Sequence, residues 1–249
     1  VVVVGFGTQK KSNVTGAIAQ VKAKDIENMS LLRVEQALQG RTAGVQITQN
    51  SGQPGAGSVV RIRGTASING SDPLYVVDGV VIGGGIDYLN PNDIETIEVL
   101  KDAASAAIYG ARGANGVIIV TTKSGKGASG QMNVSVSAYQ GIQNPWRKVS
   151  VLDATEYATL QNEMAAAAGQ SIPYADPRSF GAGTDWQDAV FNRNAPVQSV
   201  DVSMSQSSKD GSYFASVGRF RQEGIIAPGR SNFERITARL NTTNKVHQA

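Results

Sequence analysis

The polar and apolar positions of the chain follow two patterns, one before residue 125 and one after it. Before residue 125, short apolar runs lie between glycine-rich turns: LYVV at 74–77, TIEVL at 96–100 and GVIIVTT at 116–122. Each run has the length and β-branched content of a strand bounded by turn signals. Between the last two runs, DAASAAIYG predicts one or two turns of helix ending at Gly110. This part of the chain is therefore expected to form a compact domain.

Two more strands are predicted upstream of these runs. The first segment, VVVVGFGT at 1–8, predicts a strand that enters a turn at its glycines. In the second, Ala17, Ala19 and Val21 share one face of an alternating run, which predicts an edge strand.

A helix is predicted to begin after Ser30, which would act as its N-cap. Its apolar stripe would consist of Leu31, Val34 and Leu38, and Gly40 would follow its last turn. A strand at 44–48 and a loop at 49–58 are predicted to follow the helix.

The strand VVRIRG at 59–64 places its charges on one side. Period two puts Val60 and Ile62 on one face and Arg61 and Arg63 on the other. In a small isolated domain these arginines would lie in solvent. In a domain enclosed by a barrel they would face the barrel wall, where desolvated arginines require carboxylate partners.

After residue 125, three segments alternate between apolar and polar side chains. The apolar sets are Met132, Val134, Val136 and Ala138; then Val200, Val202 and Met204; then Ile236, Ala238 and Leu240. Strands of this length, apolar on one side and polar on the other, are typical of transmembrane β-strands around a wet lumen. The run 212–222 alternates less clearly: its Tyr213, Phe214 and Phe220 could be interfacial aromatics, but neither face is uniformly apolar.

The connections between these segments differ in length. KDG at 209–211 allows only a tight hairpin, 223–232 is intermediate, and 144–195 is much longer. Outer-membrane barrels have short periplasmic turns and long outer loops, so the 144–195 insertion is expected to be extracellular. Within it, Asp153 and Glu156 predict a capping box that starts a helix ending at Gly169.

Two stretches carry a family resemblance: LYVVDG from residue 74, and NPNDIETIEVLKDAASAAIYGARGANGVIIVTTK from residue 90. They resemble the plug domain of TonB-dependent outer-membrane transporters, and their residues are most similar to those of the SusC/RagA nutrient importers. The resemblance implies an α+β plug domain, a short mixed sheet with short helices, over residues 9–125. Before it would lie a TonB-box-like segment (1–8), and after it the first antiparallel transmembrane strands of an incomplete large β-barrel (126–249). Because the chain starts without methionine or signal peptide, it is interpreted as an internal fragment.

The resemblance also implies roles for particular residues. The TonB-box-like residues are Val1, Val2, Val3, Val4, Gly5, Phe6 and Gly7. The expected contacts of the plug with the barrel wall are Arg61 and Arg63. The plug motif consists of Gly64, Asp78, Gly79, Lys101, Asp102, Tyr109, Gly110, Arg112, Gly113 and Gly116.

The function implied by the resemblance is uptake of a nutrient, an oligosaccharide or a peptide, across the Gram-negative outer membrane. The implied partners are the TonB C-terminal domain, a SusD-like surface lipoprotein and outer-membrane lipid, and no cofactor is expected. The alternative is a soluble ligand-binding β-domain, whose strands would form an independent sandwich. A formal charge of +3, from 23 basic and 20 acidic residues, does not favour nucleic acid as a partner.

The composition also argues against an enzyme. The chain has no cysteine and one histidine, His247, so catalytic triads, Cys-His pairs and the common zinc sites lack their residues. Asp93, Glu95 and Glu98 are close in sequence and could form an acid–base pair. Instead, Asp93 is predicted to begin a helical turn after a proline, and the two glutamates are predicted to be solvated or to face the wall.

Overall fold

The computed structural model describes residues 2–4, 7–9, 18–26, 29, 31–49, 51–65, 70–126 and 130–245, with the backbone alone for 2–4, 7–9, 103 and 104. Two parts follow one another along the chain. Residues 18–126 form a unit of short elements, called here the plug unit after the predicted domain. Four long strands between residues 133 and 244 form a second sheet, called here the wall sheet.

The first nine strands are short: β1 Val2–Val4, β2 Gly7–Gln9, β3 Ile18–Lys22, β4 Val45–Gln49, β5 Ser58–Ile62, β6 Leu74–Val77, β7 Val80–Ile82, β8 Ile94–Leu100 and β9 Val117–Thr122. Five of them form a sheet in the order β3-β8-β9-β6-β7, in which β6 and β9 are parallel and the other neighbours antiparallel. Strands β1 and β2 pair with each other, as do β4 and β5. The predicted mixed sheet is therefore confirmed, and β3 is an edge strand as predicted.

The helices of the plug unit are also short. They are α1 Ala23–Ile26, α2 Ala103–Ala106 and the 3₁₀ turns Glu35–Leu38, Pro91–Asp93 and Ala107–Gly113. Gly110 has φ 63° and interrupts the last of these turns, at the position where the sequence predicts the helix to end. In place of the helix predicted from Ser30, which itself lies outside the described residues, only the turn Glu35–Leu38 forms.

The central sheet of the plug unit is buried on both faces, because its residues pack alternately into two clusters. Ile118 and Val120 of β9 belong to the larger cluster, together with residues of β3, β5 and the turn at 35–38. Val117 and Ile119 of the same strand belong to the smaller one, against which Tyr109 packs. Val34 and Leu38 are 2% and 1% exposed. The apolar stripe predicted at 31–38 thus does reach the core, although a full helix does not form.

The wall sheet contains four antiparallel strands in sequence order: β10 Asn133–Gln143, β11 Ala195–Ser207, β12 Gly211–Glu223 and β13 Asn232–Asn244. The predicted strand segments and the tight hairpin before β12 are confirmed. The long connection between β10 and β11 contains the helix α3 Ala154–Ala167, a 3₁₀ turn Pro177–Phe180 and the helix α4 Trp186–Val190. At the start of α3, Asp153 and Glu156 form the predicted capping box, and Gly169 follows the helix with φ 67°.

Three positions differ from the sequence interpretation. Phe214 and Phe220 are 2% and 5% exposed and alternate in β12 with outward-facing residues, so they lie on the inner face and are not interfacial aromatics. Glu98 is 1% exposed and accepts a hydrogen bond from Gln20 Nε2 at 2.8 Å, so it is neither solvated nor wall-facing. A partner on the neighbouring edge strand β3 makes that burial possible.

No helix among the described residues is long and apolar enough to cross a membrane.

Candidate functional site

The plug unit lies against the inner face of the wall sheet, and side chains of the wall carry most of the hydrogen bonds between them. The wall strands alternate, so that Ser199 and Asp201 of β11 and Ser212 and Ser216 of β12 are buried while their neighbours in the strand are half-buried or exposed. Ser212 Oγ donates to the carbonyl oxygen of Ser124 at 3.1 Å. This polar interface is the candidate functional site.

One group of contacts is centred on Arg239 of β13. Its guanidinium donates to Asp78 Oδ2 and to Thr122 Oγ1, each at 2.5 Å. Asp78 also accepts from the Thr122 hydroxyl at 2.7 Å and from the Thr122 backbone N–H at 2.8 Å. Because Asp78 lies in the β6–β7 turn and Thr122 ends β9, one wall arginine ties together two strands of the plug sheet.

A second group is centred on Asp201 of β11, which is 9% exposed. Its carboxylate accepts hydrogen bonds from the side-chain amides of Asn90 and of Asn92, the latter at 2.9 Å, and from Ser199 Oγ at 2.9 Å. Two of these three donors belong to the plug unit. A buried carboxylate requires such partners, so Asp201 depends on the plug unit for its neutral amide donors.

A third group brings two arginines to one place. Arg33 of the plug unit is 6% exposed, pairs with Asp87 and donates to the carbonyl of Gly55. Arg235 of β13 donates to the carbonyl oxygens of Asp87, at 3.0 Å, and Leu32, at 3.4 Å. Its guanidinium also lies over the ring of Phe220, 5.6 Å from the ring centre. The wall arginine therefore binds the plug backbone next to the internal Arg33–Asp87 ion pair.

Two carboxyl groups of the plug unit are buried near these contacts. Burial raises the pKa of Asp93, and the nearby Asp201 carboxylate adds to this, against the opposing effects of a Ser216 hydrogen bond, Arg239 and Lys123. Burial also raises the pKa of Glu35, which is 3% exposed. Glu35 Oε2 has no hydrogen-bond partner among the described residues. Both groups favour the neutral acid more than an exposed carboxyl would.

A cavity of about 340 Å³ opens between the plug loop at 51–56 and one end of the wall sheet. Its lining is rich in side-chain amides, with two aromatic rings and the two arginines just described: Gln36, Gln49, Gln53, Gln143, Asn144, Gln222, Phe220, Phe233, Arg33 and Arg235. The amides supply both donors and acceptors. Its volume lies near the lower end of the range for ligand pockets.

The opposite face of the wall sheet is apolar and exposed. Strand pairing aligns Val136, Val202, Val217 and Ala238 in one row across all four strands. The next row consists of Val134, Met204, Ala215 and Leu240. Such a continuous apolar surface opposite a polar face is the pattern of a strand wall between lipid and a wet interior.

Comparison with known proteins agrees with this arrangement. Residues 10–117 match the model of the TonB-dependent Receptor Plug Domain. TonB-dependent receptor P26 of Formosa agariphila is 45% identical over 259 residues, covering 99% of this chain and 26% of that protein. TonB-dependent receptor SusC of Bacteroides thetaiotaomicron is 38% identical over 250 residues, covering 97% of this chain and 24% of that protein. The RagAB peptide importer in its open-open state superposes with a TM-score of 0.82 at 31% identity, over 100% of this chain and 30% of that chain.

The chain belongs to the SusC/RagA type of TonB-dependent receptors. It spans about a quarter of the length of the curated relatives it matches. Proteins of this family lie in the outer membrane with the plug inside the barrel, and the family is one of transporters, not of enzymes. Among the described residues there is no group of three or more His, Asp or Glu side chains that could hold a metal ion.

The TonB-box-like segment of this receptor is described only in part. Val2, Val3 and Val4 form β1 and Gly7 begins β2, and the two strands pair antiparallel with Val4 opposite Gly7. Val1, Gly5 and Phe6 lie outside the described residues, as does His247. The predicted strand is present at Val2–Val4, whereas the turn predicted at Gly5 lies outside the described residues and Gly7 belongs to β2. A role in binding TonB stays a prediction.

The two arginines expected at the barrel wall have their described contacts inside the plug. Arg61 lies in β5 opposite Gln46. Arg63 lies just after β5 with φ 58°, and its guanidinium pairs with Asp102 Oδ1 at 2.5 Å. Their contact with the wall stays a prediction. Between the described plug and wall residues, the wall supplies the arginines Arg235 and Arg239, and the plug supplies the oxygen atoms that accept from these arginines.

The plug-motif residues lie mainly at turns. Positive φ angles occur at Gly64, Gly79, Gly110, Gly116 and, at 49°, Asp78, while Gly113 lies close to the Ala106 carbonyl. Two charged residues have partners within the plug, since Lys101 donates to the Ala43 carbonyl at 2.7 Å and Asp102 pairs with Arg63. Tyr109 packs on the smaller core cluster, and Arg112 is exposed. Of this motif, Asp78 takes part in the contact with the wall.

Sequence reasoning missed Arg235, Arg239, Asp201, Asn90 and Asn92 as interface residues. A signal for the first three was present, because the alternation of β11 and β13 puts them on the polar face of the wall. For the two asparagines we find no local signal, since an NPN turn looks like any solvent-exposed turn.

Proposed function

We propose that this chain forms the plug and part of the barrel wall of a transporter that imports an oligosaccharide or peptide nutrient across the outer membrane, with energy from the TonB complex. The supporting observation is the chemistry of the plug–wall interface, where Arg239, Asp201 and Arg235 make hydrogen bonds across it. Water can replace such bonds when the plug moves, whereas separation of an apolar interface of the same size would expose hydrophobic surface.

The proposed organisation assigns residues 1–8 to a TonB-box-like segment, 9–125 to the plug and 126–249 to the first barrel strands. In this arrangement the TonB C-terminal domain binds the first segment by adding it to a sheet edge, through backbone hydrogen bonds. The 144–195 insertion is extracellular, where a SusD-like surface lipoprotein would cover the barrel. Membrane lipid would contact the apolar rows of the wall.

The amide-lined cavity is our candidate for cargo contact. It includes Gln143 and Asn144, at the point where β10 leads into the 144–195 insertion, so it would open on the extracellular side. Side-chain amides can bind sugar hydroxyls and peptide groups alike. RagAB is described as a peptide importer, and the chemistry of the cavity is compatible with both kinds of cargo.

Two experiments test this proposal. A peptide of residues 1–8, extended upstream as in the full-length receptor, is expected to bind the TonB C-terminal domain, and a scrambled peptide is not; equal binding of the two would contradict the TonB-box assignment. Deletion of the same segment from the full-length receptor should abolish uptake and leave cargo binding at the cell surface intact. Unchanged uptake would overturn the proposal.

The alternative, a soluble ligand-binding β-domain, is not favoured by the comparisons or by the aligned apolar rows on the outer face of the wall. It makes a distinct prediction: residues 131–249 would fold stably in water without lipid or detergent. We expect this segment to require a membrane-like environment, because its outer face exposes residues such as Leu240, at 74%, and Val136, at 68%.

A further inference from the structure

A glycine in the wall sheet creates a notch that the plug occupies. Gly218 lies in the middle of β12, and strand pairing places it between Asp201 of β11 and Thr237 of β13. A Cβ atom at Gly218 would overlap Asp201 Oδ1 and would lie 2.6 Å from Asn90 Nδ2 and 2.9 Å from Thr237 Oγ1. These separations are too short for non-bonded atoms, so the missing side chain is what leaves room for the Asn90 amide.

The side chain that enters the notch is fixed by its own turn. Asn90 caps the 3₁₀ turn Pro91–Asp93, and its Oδ1 accepts the backbone N–H of Asn92 at 3.0 Å. Its Nδ2 therefore points away from the turn, donates to Asp201 and lies 3.5 Å from Thr237 Oγ1. Both ends of the amide are used, one by the plug and one by the wall. An aspartate at this position could cap the turn but would place a second carboxylate against Asp201.

We propose that the notch over Gly218 sets the resting position of the plug in the barrel, with Asn90 and Asn92 as positioning residues that must leave Asp201 before the plug can move. This inference rests on the proposed transport function, which supplies the movement. Asn90 and Asp201 are 7% and 9% exposed, so this contact is shielded from solvent while the plug is in place. When the plug moves, water can take the place of the two amides on Asp201.

The first test adds one methyl group to the notch. In the full-length receptor reconstituted into lipid bilayers, Gly218→Ala is expected to raise the basal ion conductance several-fold, because Asn90 can no longer seat. Gly141→Ala in β10 of the same wall sheet is the matched control: outside its chain neighbours, no atom of the described residues lies within 4 Å of the added Cβ, and the conductance of this variant should equal that of the unaltered receptor. Equal conductance of the Gly218→Ala variant and the control would overturn the proposal.

The second test exchanges the two polar partners and does not depend on the fit of a methyl group. Asn90→Asp should raise basal conductance because two carboxylates then face each other. Combination with Asp201→Asn should return the conductance to within about twofold of the original receptor, since an amide again faces a carboxylate. A double variant that leaks as much as Asn90→Asp alone would contradict a positioning role for this pair.

Both tests are made without TonB and without cargo, so they report on plug position alone. If the conductance changes as expected but deletion of residues 1–8 does not affect uptake, the proposed transport function is wrong and the positioning role of the notch is supported. If uptake depends on residues 1–8 but the conductance of all variants is unchanged, the positioning role of the notch is wrong and the proposed transport function is supported.

Discussion

Arg239 of the wall and Asp78 of the plug form an ion pair in which the guanidinium and Oδ2 lie 2.5 Å apart. Asp78 is held in place by the Thr122 hydroxyl and backbone N–H, and the turn it occupies requires a φ of 49°. The wall thus binds a carboxylate that the plug sheet has already oriented. Little side-chain freedom remains to be lost when the pair forms, which favours it over an ordinary exposed ion pair.

Arg239→Ala is expected to weaken plug seating by about 1.5–3 kcal/mol, the usual cost of losing a charged hydrogen bond. The measurement is the rate at which a thiol reagent labels a single cysteine introduced at Ser212, which is 7% exposed behind the plug. The chain has no other cysteine. Faster labelling is expected in the variant.

The matched control is Arg219→Ala, which breaks a pair with Glu234 at 2.6 Å within the wall sheet. Arg219 is exposed and its partner belongs to the wall, so its loss should not change labelling. If the two variants label at the same rate, Arg239 does not hold the plug.

Buried acids of the plug should make its stability depend on pH. The pKa values of Asp93 and Glu35 are raised in the folded plug, so the folded state binds protons more tightly than the unfolded state. Stability is therefore expected to fall as the pH rises from the ordinary carboxyl pKa values of 3.8 and 4.5 through the raised values. The measurement is the protection of the β8 and β9 amides from hydrogen exchange, taken relative to the unfolded chain at each pH.

The variant Asp93→Asn with Glu35→Gln removes both titrating groups and should flatten the pH profile. As a control, Glu95→Gln replaces an exposed carboxyl in the same strand region and should leave the profile unchanged. A profile that rises with pH, or one that the double variant does not alter, would show that these burial effects do not govern plug stability.

Gly116 of the plug motif combines two structural demands. Its φ is 91°, and a Cβ there would lie 2.7 Å from Ile62 Cδ1. Gly79 has a similar φ, 85°, and beyond its chain neighbours the part of the chain that the structure describes has no atom within 4 Å of an added Cβ. Gly79→Ala should therefore cost about 1 kcal/mol from backbone strain alone, while Gly116→Ala should cost about 1–3 kcal/mol more from overpacking.

The measurement is the urea dependence of labelling at a cysteine placed at Ala106, which is 2% exposed. Adding Ile62→Val to Gly116→Ala removes the closest atom and should recover part of the loss. If Gly116→Ala and Gly79→Ala cost the same, the contact with Ile62 is unimportant and only the backbone angle matters.

Local patterns in the sequence predicted the strands well. In β9 the apolar run bounded by turn signals predicts a strand, and Val117 to Val120 form a strand whose residues pack alternately into the two core clusters. In β11 alternation separates Val200 and Val202 from Asp201, because period two is a property of the strand itself. Such features depend on neighbours in the chain.

Features set by distant contacts were not predictable in this way. The segment after Ser30 has a helical stripe, yet Leu32 N–H is taken by the Gln36 side chain and the turn forms only from Glu35, as packing against the sheet allows. Asn90 meets Asp201 from 111 positions away, and no local pattern records that distance. The sequence analysis expected the arginines of the interface to be Arg61 and Arg63 of the plug. That Arg239 of the wall contacts Asp78 is visible only in the three-dimensional structure.

The central claim is that the plug must leave its polar seat on the wall for transport to occur. Cysteines at Asn92 and Asp201 would replace side chains whose Nδ2 and Oδ2 atoms lie 2.9 Å apart, so a short bis-methanethiosulfonate reagent can join plug and wall through the two thiols. We predict that the cross-linked full-length receptor loses TonB-dependent uptake while still binding cargo at the cell surface, and that reduction of the same sample, which releases the cross-linker, restores uptake. Uptake at the full rate by the receptor shown to be cross-linked would contradict the account.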